Sequence, residues 1–81
     1  MTDYLEDLKD LISKQFVIPQ DDIEEESLLD EDLSITDLDL EDLIGKIQEK
    51  YDIEIPPEKF PSFKKVSDIA LYLYENVEQM A

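Results

Sequence analysis

Three stretches of this chain carry apolar residues at helical spacing, and none shows the strict alternation of a strand. Tyr4, Leu5, Leu8, Leu11, Ile12 and Phe16 form the first stripe. Leu40, Leu43, Ile44, Ile47 and Tyr51 form the second. Val66, Ile69, Ala70, Leu73 and Val77 form the third, with Tyr72 and Tyr74 flanking it. Such stripes bury themselves only against other helices, and no hairpin turn signal offers a sheet instead. The pattern predicts an all-α domain with helices over residues 3–16, from near 36, and over about 66–78. Leu38, Leu40 and Ile44 are expected to be buried together.

Helix ends are marked as well. Asp3 and Glu6 have capping-box spacing before the first stripe. Thr36 and Asp39 have cap spacing before the second, and Ser34 and Asp37 repeat it two residues earlier. Pro19 ends or follows the first helix, because a proline pushes the preceding Ile18 out of helical geometry. Ile55-Pro56-Pro57 closes the second, and a short helical turn around Glu58 to Phe60 is limited by Pro61. Gly45 either weakens the second helix or admits a close helix contact. Between the first two helices lies a long acidic connection, residues 20–35. Ile23, Leu28, Leu29 and Leu33 recur within it, which predicts a loop pinned to the core.

The 81 residues suit a single domain over 1–81. The chain has no cysteine and no histidine. Disulfides, thiol nucleophiles, Cys/His zinc sites and imidazole chemistry are therefore excluded together. No apolar run approaches the roughly 18 residues of a membrane span. The acidic MTDYLEDLKD start does not read as a signal peptide, and a cytoplasmic location is expected.

Net charge is −16, from 23 acids against 7 lysines. Nucleic acid and anionic membranes are repelled by such a chain, and a protein partner with a basic patch is attracted. From Asp21 to Asp42 the acids run without one lysine. This run reads either as a solvated face or as a docking surface; composition does not separate the two.

Two places in the chain carry a resemblance. Glu31-Asp32-Leu33 followed by Thr36-Asp37-Leu38-Asp39 resembles the EDLG-x-DSLD signature of acyl carrier proteins. Tyr51-Asp52-Ile53-Glu54-Ile55-Pro56 resembles the F-D-x-E-I-P that ends their second helix, at the family's spacing, and Ile23-Glu24-Glu25-Glu26-Ser27-Leu28 fits their loop. The resemblance implies an acyl-carrier-protein-like four-helix bundle: three main helices, a short third helix and a long first connection. It also implies a monomeric carrier domain rather than an enzyme. Its partners would be enzymes of fatty-acid or related thioester metabolism, met through Asp39, Glu41, Asp42 and Glu49.

In that family the serine of the DSL motif carries 4′-phosphopantetheine. Here the matching residue is Asp37, with Thr36 replacing the preceding acid and Ser34 the usual glycine. A serine oxygen attacking coenzyme A leaves a stable phosphodiester. A carboxylate would leave a mixed anhydride that water cleaves, and its charge repels the incoming phosphates. Asp37 reads as structurally retained, complementing the helix dipole and accepting a backbone hydrogen bond, yet chemically disabled. No cofactor is expected; 4′-phosphopantetheine would require a serine at position 37. Modification of Ser34 instead would lie one helical turn early.

The expected function is that of a protein-interaction module acting through the acidic second helix. The alternative is an ordinary acyl carrier protein whose attachment serine is substituted by Asp37 in this chain. A second alternative is an acidic calcium-binding module. Asp30, Asp32, Ser34, Thr36, Leu38 and Glu41 occupy the ligand positions of a calcium-loop template. Ile35 stands where that loop needs glycine, and Asp37 where an apolar residue is usual. No metal site is expected, only weak and diffuse cation binding. Asp37 and Glu41 share a helix face, but solvation and capping explain them better than glycosidase-like chemistry. The four tyrosines read as core-edge residues.

Overall fold

The computed structural model describes residues 3–77. Three helices carry the architecture: α1 (Tyr4–Phe16), α2 (Asp37–Tyr51) and α3 (Val66–Val77). Two 3-10 segments, Gln20–Asp22 and Pro57–Ser62, lie in the connections. The second takes the place of the expected short third helix. It runs through Pro61 rather than stopping before it, closed by the Phe63 N–H donating to the Phe60 carbonyl at 3.1 Å. No strand forms among the described residues, only one isolated antiparallel bridge between Leu28 and Lys65. Residue 78, the expected last residue of α3, lies outside the described residues.

The three stripes face one another. Tyr4, Leu8 and Ile12 of α1, Leu40, Leu43, Ile44 and Ile47 of α2, and Val66, Ile69 and Leu73 of α3 are buried in one cluster. Among the described residues the buried set is aliphatic and aromatic and holds no charged side chain, so every described charge stays in contact with water. Leu38 departs from expectation. It is 74% exposed, because it projects from α2 on the side opposite Leu40 and Ile44.

Helices α1 and α2 end by the same device. Val17 and Asp52 adopt left-handed backbone, with φ 55° and 54°. Their N–H groups donate to the Ser13 and Gln48 carbonyls, and the next residues, Ile18 and Ile53, donate to the same acceptors at 3.2 Å each. Aspartate tolerates this conformation; a β-branched valine does so at a cost. The Gln48 side chain also accepts from the Ile55 N–H at 2.7 Å, turning the chain sharply after α2.

The C-terminal end of α2 is tied to α1 by Tyr51. Its ring meets Tyr4 edge-on at 5.6 Å, and its hydroxyl donates to the Asp7 carboxylate at 3.1 Å. Burial first, then the hydrogen bond and charge of Asp7, push the Tyr51 phenol well above its ordinary range. It therefore stays a protonated donor, which suits a structural tie and not acid–base work.

The long connection is pinned as the sequence predicts. Ile23, Leu29 and Leu33 are buried, Leu28 partly, and Ile35 is buried too. Leu29 donates to the Lys64 carbonyl at 2.9 Å, Val66 to Ser27 at 3.1 Å, and Ser67 to Glu25 at 2.9 Å. A Cβ added at Gly45 would meet nothing within 4 Å, so the glycine serves no close helix contact.

Two backbone exchanges follow. Gly45→Ala is expected to stabilise the fold by about 0.8–1 kcal/mol through helix propensity. Val17→Gly, at a site 89% exposed, should gain about 0.5–1 kcal/mol by relieving left-handed strain. Urea denaturation of each variant measures both; a loss of stability in either would refute its assignment. Electrostatics yields a separate expectation. Only three ion pairs form among the described residues, Lys9–Glu6, Lys14–Asp10 and Lys65–Glu26, all at the surface. They offset little of a −16 net charge. Since the Debye length falls from about 10 Å at 0.1 M salt to about 3 Å at 1 M, added sodium chloride should raise the melting temperature. A falling melting temperature would mean that self-repulsion is not the dominant electrostatic effect.

Candidate functional site at the start of the second helix

Helix α2 begins with a complete capping box. The Thr36 hydroxyl oxygen accepts from the Asp39 N–H at 3.2 Å, and the Asp39 carboxylate accepts from the Thr36 N–H at 3.2 Å. Two otherwise orphaned donors are thereby satisfied. The alternative pair, Ser34 and Asp37, forms no cap. Ser34 sits outside the helix in left-handed backbone, φ 57°, and is exposed.

Asp37 is the first residue of α2 and is exposed. The expectation that it accepts a backbone hydrogen bond is not met: among the described residues its carboxylate makes no hydrogen bond or ion pair, because Thr36 already holds the cap. Its contribution to the fold is confined to the favourable placement of negative charge at a helix start.

Beside Asp37 opens a cavity of about 400 Å³. Ile35, Leu40, Phe60 and Phe63 line it, together with Leu28 and Leu29 of the connection. Asp37 and Thr36 stand on its lining as well, with Asp30, Glu31 and Lys64. Sequence pattern had not connected Phe60 and Phe63 to this place; they lie outside any helical stripe and are brought in by the 3-10 segment.

The exposed side of α2 carries Leu38, Asp42 one turn on and Glu49 two turns further, with Glu41 beside them. Gly45, between Asp42 and Glu49, leaves this side flat. Asp39 differs from the other three acids because it is half-buried and held in the capping box. The residues of the calcium template are not gathered into a cage. Among the described residues no three acids come together in a way that could hold a metal ion. The Asp32 carboxylate accepts instead from the Leu28 N–H at 2.8 Å, and the Leu38 side chain faces solvent.

The arrangement defines a small helical protein presenting a helix tip beside a cavity of mixed polar and apolar lining. The family model described as phosphopantetheine attachment site matches residues 6–73. The acyl carrier protein of Clostridium perfringens (strain SM101 / Type A) is 35% identical over 72 residues, covering 89% of this chain and 95% of its own. That of Wolinella succinogenes is 32% identical over 71 residues, covering 88% and 93%. That of Helicobacter hepaticus is 32% identical over 74 residues, covering 91% and 97%. The chain belongs to the acyl carrier protein family, whose members are carriers and not enzymes. No helix among the described residues is long and apolar enough to cross a membrane.

The division of labour at the helix start can be measured. Thr36→Ala should cost about 1 kcal/mol of stability by removing the cap. Asp37→Ser should cost no more than about 0.3–1 kcal/mol, the contribution of one charge at a helix start. Chemical denaturation of both variants decides it; a larger loss at Asp37 than at Thr36 would return the capping role to Asp37.

Proposed function

We propose that this chain is an acyl carrier protein of fatty-acid or related thioester biosynthesis, with Asp37 standing at the attachment position. In this form it docks on its partner enzymes without carrying the arm. The observation that carries the reading is the state of Asp37: first residue of α2, exposed, beside a cavity of mixed polar and apolar lining, and relieved of capping by Thr36. The similarity along almost the whole chain supports the carrier role. The same reading implies a cytoplasmic monomer, since two copies at −16 each repel.

The residues present do not fit a 4′-phosphopantetheine phosphodiester at position 37. A carboxylate offers no hydroxyl oxygen for a stable ester. The Thr36 oxygen next to it is engaged in the capping box, and Ser34 lies outside the helix. What remains is recognition. Glu41, Asp42 and Glu49 offer a solvent-facing acidic strip to a basic patch, and Leu38 adds an apolar contact at its head. Asp39 supports this strip by holding the helix start.

A second reading is an interaction module with no carrier role in any form. It is favoured by the changes around Asp37, namely Thr36 and Ser34 where the family has an acid and a glycine. One experiment separates the two. The protein is incubated with coenzyme A and a broad-specificity phosphopantetheinyl transferase, and intact mass is measured. The chain as it stands should gain nothing, and Asp37→Ser should gain one phosphopantetheine at residue 37. A stable adduct on the unaltered chain would overturn the reading of position 37. Failure of a folded Asp37→Ser variant to load would favour the interaction module. In the Asp37→Ser background, Asp42→Lys with Glu49→Lys should slow loading about tenfold, as should raising the salt, because both weaken electrostatic encounter. Unchanged rates would remove α2 as the docking surface.

A further inference from the structure

Away from α2, a groove of about 530 Å³ runs between the start of α1 and the outer side of α3. Leu5, Ala70, Leu71 and Tyr74 supply its apolar surface, and Asp3 and Glu25 its charged rim. No residue of α2 lines it, and neither does any lysine. Leu71 and Tyr74 lie one turn apart and are 58% and 56% exposed. With Val17 and Leu38 they make up the large apolar side chains left in water among the described residues, and they are the pair that share one surface.

Core packing does not account for these two residues. The buried side of α3 is already complete with Val66, Ile69 and Leu73. Leu71 and Tyr74 point elsewhere, onto a second side of the same helix. An apolar groove with an acidic rim matches an amphipathic segment of opposite charge. It does not match a second copy of this chain, which brings −16 of like charge. An anionic lipid surface would meet the same repulsion from Asp3 and Glu25.

We propose that the α1–α3 groove is a second docking surface, separate from the acidic side of α2, for a basic amphipathic helix of a partner protein. The partner's apolar side chains pack on Leu71, Tyr74 and Leu5, and its lysines or arginines meet Asp3 and Glu25. Contact here leaves the start of α2 uncovered, so both surfaces can be engaged together. The proposal does not depend on whether residue 37 is loaded.

The probe is a synthetic helical peptide of about 14 residues with leucines on one face and lysines on the other. The control has the same composition in an order that gives no apolar face. Amide chemical shifts of the labelled protein locate each peptide. The amphipathic peptide should shift residues 67–74 and Leu5, and the control should act only weakly, by diffuse charge. Leu71→Ser with Tyr74→Ser should weaken the amphipathic peptide about tenfold or more, while Glu41→Gln with Asp42→Gln leaves its affinity within about twofold. Both pairs are surface residues, and melting curves confirm that each variant is folded. Equal binding of the two peptides, shifts centred on residues 38–49, or undiminished affinity in the Leu71/Tyr74 variant would each overturn the proposal. Concentration-dependent shifts in the groove without peptide would overturn it in favour of a second copy.

Discussion

The placement of α2 depends on a short exchange of main-chain hydrogen bonds between residues 25–29 and 64–67. Ser67 donates to Glu25, Val66 to Ser27, and Leu29 to Lys64. Without this clamp the connection before α2 would be a long acidic loop with a large ordering cost and mutual repulsion along its length. With it, Leu29 and Ile35 are drawn into the core, and Ile35 donates to the Leu29 carbonyl at 2.8 Å immediately before the capping box. The helix tip is thus set by contacts made in the loop, not by α2 itself. The same clamp seats the start of α3, because Asp68 accepts from the Lys64 and Lys65 N–H groups at 3.0 Å each. One local feature therefore positions the start of α2, which borders the cavity beside Asp37, and the start of α3.

The charge of the chain is tolerated because the core asks nothing of it. Among the described residues no charged side chain is buried, and the ion pairs are few and lie at the surface. Acids along 21–42 are instead spent on local backbone donors where geometry allows: Asp32 on Leu28, Asp39 on Thr36. Such bonds order a segment whose charges would otherwise spread it. Glu41 and Asp42 at the end of this run, with Glu49 beyond it, lie exposed on the outer side of a rigid helix. A surface of this kind costs stability through self-repulsion and gains speed of encounter with a basic partner.

What the sequence made legible was periodic. The three helical stripes, the Thr36–Asp39 cap and the pinned connection follow from spacing alone, and all recur in the fold. Ile35, Ile55 and Phe63 were missed as core because they stand in segments with no period; their burial comes from turns that bring single side chains inward. Leu38 was misplaced, although its two-residue offset from Leu40 puts it on the opposite side of a helix. The Ser34–Asp37 cap failed for a reason that no spacing contains: Ser34 turns into left-handed backbone before the helix starts. At the start of α2, spacing offers two caps, and only geometry separates Thr36, which caps, from Asp37, which does not take part.

That separation bears on how Asp37 is understood. A residue retained for the fold should be doing something the fold needs. The cap belongs to Thr36, the helix start is braced by Asp39, and the apolar lining comes from Ile35 and Leu40. Asp37 supplies a charge that Asp39 already supplies two residues on, so the helix start would be served without it. The identity of residue 37 is therefore released from structural demand and exposed to whatever meets the helix tip. A hydroxyl there would invite covalent chemistry; the carboxylate keeps the tip anionic without it. On the function proposed above, the chemistry of this one side chain sets what the helix tip can present to a partner.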